Sequence, residues 1–362
     1  MYRYLTLVVW VLLLAAPAAA RIDPPELPGP WAVGRVTETV VDKMRNRELT
    51  VDVWYPVDAA DATGTLSEYN LVFASLASNI AIDSPPVSVA GTRPLVIFSH
   101  GSFGIRYQSF FLMEHLASHG FIVVSPDHAG NTAADLVFGT EAPFEQIVVD
   151  RPLDVIFLID WMLTRNASPA DRFDGRLDPQ QIAVMGHSFG GYTAIAAAAG
   201  TAVTPADPRV RVIAPIAPAS GLLSDDELAG ISIPALILGG TADITTPVEP
   251  QSARPFELFE GLRYRVDIVD GGHQSFTNIC VFAEVLVGAG VPPSLIDFLL
   301  GNSAEGCAPE LIPIAQAHAL TNLYATAFLK RELLRDGRYQ RYLNRGYAQS
   351  NRLPVLFRRK KN

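Results

Sequence analysis

The sequence predicts an α/β fold, with a mostly parallel central sheet of about eight strands and helices on both faces. Three observations carry that expectation. Short uninterrupted apolar runs recur along the chain, as expected of strands buried on both faces. Segments with apolar residues at helical spacing separate them. The 362 residues, 49% hydrophobic and 18% charged, can fill a large core.

The elements follow in order. Arg35–Asp42 and Glu48–Pro56 alternate apolar and polar residues, and are expected to pair as half-buried antiparallel strands. Residues 57–92 are rich in Ala, Ser, Asp and Pro and read as a surface excursion, with helix around Tyr69–Ile80. From Pro94 the runs become continuous: Pro94–His100, Phe121–Asp127, Gln181–His187, Val210–Pro218, Ile233–Gly240 and Tyr264–Gly272 are expected strands. Between the first two, Ile105–Gly120 reads as a helix with Gly120 as a left-handed terminator. Arg151–Arg165 is a second helix, with Pro152 near its first turn. The Ala-rich run after Phe189 is a third, ended by Gly200, and Pro313–Asp336 is the last long one.

The ends read differently. Arg3, the apolar run Leu5–Ala16 and the small residues Ala18–Ala20 have the layout of a signal peptide over 1–20, cleaved near Ala20. An uncleaved anchor helix is the alternative. Residues 21–34 are proline-rich and read as a linker, 35–350 as a single domain, and 351–362 as a basic solvated tail with Arg358, Arg359, Lys360 and Lys361. A secreted or periplasmic chain with no stable membrane span after cleavage is the expectation. Its two cysteines, Cys280 and Cys307, then read as a disulfide worth about 3.5 kcal/mol by loop entropy. Two buried thiols are the alternative.

A net charge of −9, from 28 basic and 37 acidic residues with no basic stripe, argues against a nucleic-acid partner. There is no H-E-x-x-H, no P-loop and no G-x-G-x-x-G after a strand, so neither metal nor cofactor is expected. His115 and His119, spaced i, i+4, read as surface residues rather than ligands.

The chemistry lies in "AVMGHSFGGY" (Ala183–Tyr192), a buried strand that runs into a serine and then an Ala-rich helix. That context is the one a nucleophile elbow needs, with Gly186 and Gly190 supplying clearance around Ser188. A serine hydroxyl needs a base, and the base an orienting acid. Chain order Ser, acid, His points to Asp243, in "TADITTP" after one strand, and His273, after the next. The alternatives are an Asx-turn role for Asp243 before Pro247 and a surface-loop role for His273. Asp267 sits inside its strand, with Asp270 just beyond. Asp225, Asp226 and Glu227 read better as the first turn of a helix capped by Ser224, with Asp225 a second choice of acid. His318 is mid-helix and reads as packing or surface. An oxyanion needs preorganised donors. These are expected from the backbone N–H of Phe189 and from Ser102 or Phe103 in the loop His100–Gly104, where Gly101 and Gly104 allow close approach. His100 reads as structural.

The stretches "VDVWYP", "PLVIFSHG", "LASHGFIVVSPDH", "RPLDVIFLIDWM", "VMGHSFGG", "GGTADITTP" and "GGHQSFTNIC" resemble an α/β-hydrolase of the platelet-activating-factor acetylhydrolase, dienelactone hydrolase-like and polyester hydrolase (cutinase)-like group. The resemblance implies the α/β-hydrolase fold and a cofactor-free serine carboxylic-ester hydrolase acting on a small-molecule or lipid ester. It puts the nucleophile on Ser188, the base on His273 and the oxyanion donors on Phe189 and Ser102. Dienelactone hydrolases use a cysteine where this chain has Ser188. Acetylhydrolases place their acid one strand before Asp243, which sits at the cutinase-like position. A lipase, phospholipase or polyester hydrolase is therefore the alternative activity, and a non-catalytic binding protein of the same fold the alternative class. Phe282–Gly301, strongly apolar and between the two cysteines, reads as a disulfide-tethered lid at 280–307 or as core packing under a long loop.

Overall fold

The computed structural model describes residues 22–301 and 303–361. The expected signal peptide at 1–20 lies outside the described residues. The strands are β1 (Ala32–Asp42), β2 (Arg47–Val57), β3 (Leu66–Asn70), β4 (Ser75–Asp83), β5 (Arg93–Ser99) and β6 (Ile122–Pro126). They continue as β7 (Leu177–His187), β8 (Val210–Ile216), β9 (Ala235–Gly240), β10 (Arg263–Ile268) and β11 (Val355–Lys360). Among the described residues they make one sheet in the order β11-β10-β9-β8-β7-β5-β6-β2-β1-β4-β3. The block from β10 to β6 is parallel throughout, and antiparallel pairs flank it at β11/β10 and β2/β6. The class is as expected, and the strand number exceeds the expected eight.

The helices are α1 (Phe110–Ser118), α2 (Ala133–Phe138), α3 (Phe144–Asn166), α4 (Phe189–Ala199), α5 (Asp225–Ala229) and α6 (Arg254–Leu258). They continue as α7 (Ile279–Gly288), α8 (Pro293–Leu300), α9 (Ala304–Cys307), α10 (Ile314–Phe328) and α11 (Arg345–Ser350). The alternating faces of the central strands feed two cores. One packs β5 to β10 against α1, α7 and α10, through residues such as Leu112, Phe282 and Tyr324. The other packs the opposite face against α3 and α4, through residues such as Leu158 and Ile195. Both faces of the parallel block are thereby dry, which is why its strands read as unbroken apolar runs.

Five expectations are corrected. The segment around Tyr69–Ile80 is the β3–β4 hairpin, not a helix. Its inward residues explain the choice: Tyr69 is fully buried, accepts from Trp54 Nε1 at 3.0 Å and donates to Glu114 at 2.7 Å. The basic tail is not free. Residues 355–360 form β11 against β10, with Arg359 over the Tyr264 ring and Lys360 bonded to Glu257. The expected linker enters β1 at Ala32. Before that it is strapped to α1, where His115 and His119 donate to the carbonyls of Pro25 and Leu27. These two histidines are therefore buried rather than on the surface. Finally, α3 starts at Phe144, so Pro152 lies within it. Proline has no N–H for the carbonyl four residues back. The Tyr192 hydroxyl donates to that carbonyl, of Val148, at 2.9 Å instead.

Candidate active site

The central strand β7 delivers Ser188 to the carboxyl end of the sheet, where α/β sheets bind ligands. Ser188 stands between β7 and α4 with φ 57° and ψ −119°, a conformation costly for a residue with a Cβ. Its neighbours hold it there. The Ser188 N–H donates to Ile216 O at 2.8 Å, and Ala219 N–H donates to Ser188 O at 3.0 Å. A Cβ at Gly190 would overlap the Ser99 carbonyl, and one at Gly186 would overlap the Gly190 carbonyl. Both glycines are there for close approach of β5, β7 and α4.

Two loops bring partners to the serine. His273 follows β10, and its Nε2 is 2.9 Å from Ser188 Oγ. Asp243 follows β9, and its Oδ2 is 2.9 Å from His273 Nδ1. His273 and Asp243 are both buried. Asp243 also makes an Asx-type turn, since Oδ1 accepts from Thr246 N–H at 2.6 Å. The Asx-type turn and the contact to His273 therefore use different oxygens of the same carboxylate. The Thr246 hydroxyl, 2.8 Å from Asp243 Oδ2 and 3.0 Å from His273 Nδ1, adds a contact that sequence reasoning missed. Its signal was the threonine three residues after the acid.

The rival acids are elsewhere. Asp267 is tied to Arg265 within β10. Asp225 is at the start of α5, bonded to Arg254, and Ser224 caps that helix by accepting from Glu227 N–H. His318 stacks on Phe111 with ring centroids 3.5 Å apart. His100 has both ring nitrogens on main-chain groups: Nδ1 donates to Gly101 O at 2.6 Å, and Nε2 accepts from His128 N–H at 3.1 Å. Burial pushes its pKa well below the usual histidine value.

The loop after β5 reaches the serine through Gly101, which packs against Ser188 and His187. Its Gly101 N–H goes to Gln108 Oε1 and its Gly104 N–H to Gly101 O. Among the described residues, the amides of Ser102, Phe103 and Phe189 have no hydrogen-bond partner. Behind this loop Arg151 is fully buried. It donates to the carbonyl of His100, to Ser99 Oγ at 2.8 Å and to Asn131 Oδ1 at 2.7 Å. Asn131 in turn donates to Ser102 Oγ at 3.3 Å. Ser99 also contacts His128, whose Nδ1 is 2.9 Å from Asp154. Sequence gave no sign of this buried network, because its members come from three separate segments, 99–102, 128–131 and 151–154.

Beside Ser188 lies a cavity of about 370 Å³. Its apolar wall comes from Ile105, Leu136, Ile279, Phe282, Phe298 and Leu300. Among the described residues, no Asp, Glu, Lys or Arg lines it. Four of those wall residues belong to α7 and α8, and three of the four, Phe282, Phe298 and Leu300, lie in the segment closed by the Cys280–Cys307 disulfide. No group of three or more His, Cys, Asp or Glu residues is arranged to hold a metal among the described residues.

Comparison with known proteins adds kinship. A family model described as Chlorophyllase matches residues 63–230. Chlorophyllase-1 of Arabidopsis thaliana is 32% identical over 143 residues, 40% of this chain and 38% of its own. Cutinase est1 of Thermobifida alba is 26% identical over 254 residues, 70% of this chain and 64% of its own. The match thus spans less than two thirds of either relative. A ferulic acid esterase from Streptomyces cinnamoneus superposes with a TM-score of 0.66 at 23% identity, over 95% of this chain and 98% of that one, a likeness of fold. Cutinases were among the expected relatives, and chlorophyllases were not. A doubly covered parallel sheet whose central strand ends in such a strand–serine–helix turn gives the chain the α/β-hydrolase fold, and in sequence it is similar to proteins named chlorophyllase and cutinase.

Proposed function

We propose that the chain is a serine carboxylic-ester hydrolase. The carrying observation is the unbroken line Ser188 Oγ, His273 and Asp243, with both contacts at 2.9 Å. Ser188 Oγ attacks the ester carbonyl while His273 Nε2 takes its proton. The tetrahedral oxyanion lies against the N–H groups of Phe189 and Ser102. On collapse the C–O bond breaks, and His273 returns the proton to the leaving alcohol. Water then attacks the acyl carbon while His273 takes its proton; on collapse the acyl–Oγ bond breaks, His273 returns the proton to Ser188 Oγ, and the carboxylic acid leaves. Asp243 holds Nδ1–H and stabilises the imidazolium in both halves. The relatives' names, chlorophyllase, cutinase and ferulic acid esterase, are those of ester-cleaving enzymes and support this reading.

The substrate is a neutral ester with a sizeable apolar group. An uncharged lining offers no counter-ion to a phosphate or carboxylate. A second reading, attack on lipid or polyester, is favoured by exposed apolar residues on three segments that line the cavity, through Phe298 itself, through Thr245 beside Ile244 and through Leu136 on the helix of Phe138. Phe298 and Ile244 are 56% and 78% exposed, and Phe138 on α2 is 76% exposed. Assays of soluble short esters against phospholipid vesicles and polyester films separate the two. A non-catalytic binding role predicts no turnover of any of them. Secretion or export to the periplasm is part of the proposal and rests on the signal-like segment Arg3–Ala20. Ser188→Ala is expected to cut kcat by on the order of 10⁴-fold. Wild-type rates in that variant would end the reading.

A further inference from the structure

His187, the residue before the proposed nucleophile, is buried and has both ring nitrogens engaged. Its Nε2 is 2.9 Å from the His273 carbonyl oxygen, and its Nδ1 is 3.0 Å from Gln108 Nε2. A carbonyl only accepts, so the proton is on Nε2 and Nδ1 is the acceptor. That fixes the Gln108 amide: its NH₂ donates to His187, and its Oε1 accepts from Gly101 N–H at 3.0 Å. Two independent partners agree on that orientation. Burial and the adjacent His273 push the His187 pKa well below its usual value, which keeps the ring in the neutral form the chain of bonds requires.

The result is a continuous relay: Gly101 N–H to Gln108, Gln108 to His187, His187 to the His273 carbonyl. It joins the loop after β5 to the loop after β10, behind Ser188. The same turn grips the second loop twice more. Asn278 N–H donates to Gln108 O at 2.6 Å, and Ser109 Oγ donates to Phe276 O at 2.9 Å. The expected oxyanion donors and the base are on separate loops, yet both must meet one carbonyl group to within tenths of an ångström. We propose that Gln108 and His187 are positioning residues, which hold the oxyanion loop and the His273 imidazole in register with Ser188. This rests on the ester-hydrolase reading above. The effect belongs to the transition state, so it should appear in kcat rather than KM.

Polarity, not bulk, is what the relay needs, and substitutions separate the two. His187→Leu keeps volume and loses both bonds. His187→Gln keeps one acceptor and one donor. On a soluble p-nitrophenyl ester, His187→Leu and Gln108→Leu are expected to lower kcat about 10- to 100-fold with KM within about threefold. His187→Gln is expected to recover most of that loss. Equal kcat in His187→Leu and His187→Gln, or kcat within twofold of wild type in both leucine variants, overturns the proposal. If the leucine variants do not fold, Gln108→Glu serves. It keeps the acceptor for Gly101 and lacks the donor to neutral His187, so kcat should fall about tenfold, and an unchanged kcat overturns the relay. Wild type is labelled in parallel with a fluorophosphonate. An unlabelled wild type overturns the ester-hydrolase reading and the relay with it. A labelled wild type with fully active variants overturns the relay alone.

Discussion

Glu305 accepts from the Thr245 hydroxyl at 2.6 Å, so the disulfide-closed segment is bonded directly to the loop that carries Asp243. The same carboxylate takes the N–H groups of Ile244 and Thr245 at 3.2 Å. Glu305 is on α9, two residues from Cys307, and Gly306 of that helix packs on Gln274, next to His273. The segment 280–307 therefore does two things. It walls the cavity through α7 and α8, and it contacts the loops of Asp243 and His273 through α9.

Breaking the disulfide should be felt at both levels. The bridge closes a sequence separation of 27, for which loop entropy gives about 3.5 kcal/mol. The double variant Cys280→Ser with Cys307→Ser is expected to be about 2–4 kcal/mol less stable in urea unfolding. Its kcat/KM should fall several-fold with it. Glu305→Ala should lower kcat/KM with little change in the unfolding midpoint. Unchanged activity in both would show that α9 does not brace the site.

The cavity wall predicts a chain-length effect. Phe298 and Leu300 line the cavity from α8, whose buried residue is Ile296 rather than either of them. Phe298→Ser and Leu300→Ser should fold normally and lose preference for long acyl esters. Each buried methylene is worth about 0.8 kcal/mol. The ratio of kcat/KM for octanoate over acetate should then drop at least fivefold. A ratio equal to wild type would show that the substrate's apolar group does not reach α8.

Stability should fall on mild acidification. Burial pushes down the pKa of His100, His115, His119, His128, His187 and His318, to about 3 for His115 and His128 and about 4 for His119 and His318. In the unfolded chain these rings titrate near ~6.5. Below that value the unfolded state binds more protons, so stability is full above about pH 6.5 and is lost as pH falls. Glu114, Asp127 and Asp267 are pushed up by burial and contribute with the opposite sign. Three carboxylates oppose six histidines, so the histidines set the slope. Tm measured by circular dichroism should drop between pH 7 and pH 5, and a flat or rising Tm would contradict this.

The elbow tolerates no side chain at Gly190. A Cβ there meets the Ser99 carbonyl, which is rigid backbone, whereas one at Gly288 meets nothing within 4 Å. Gly190→Ala should abolish activity and lower Tm by many degrees. Gly288→Ala, in α7, should leave Tm equal or slightly higher, as helix propensity favours alanine by about 1 kcal/mol. Equal Tm in the two variants would contradict the account of the elbow.

The sequence made the parallel block legible because dry strands have an unmistakable run of apolar residues, as in Leu236–Leu238. It made Ser188, Asp243 and His273 legible because each follows such a strand. The β3–β4 hairpin was not legible. Tyr69 and Ile80 sit at spacings that suit a helix, and the pairing of β4 with β1 that decides the matter is not local. Nor was β11, whose basic residues look solvated until Tyr264 and Glu257 are found beside them. Gln108, Arg151 and Thr246 escaped for the same reason. Each acts on a residue from another segment, and no spacing along the chain encodes that.

The most direct measurement is labelling by a fluorophosphonate probe, read by mass spectrometry of the modified peptide. The account predicts a single adduct on Ser188 of the wild type, strongly reduced in His273→Ala and absent in Ser188→Ala. An unlabelled wild type, or an adduct that persists in Ser188→Ala, would contradict it.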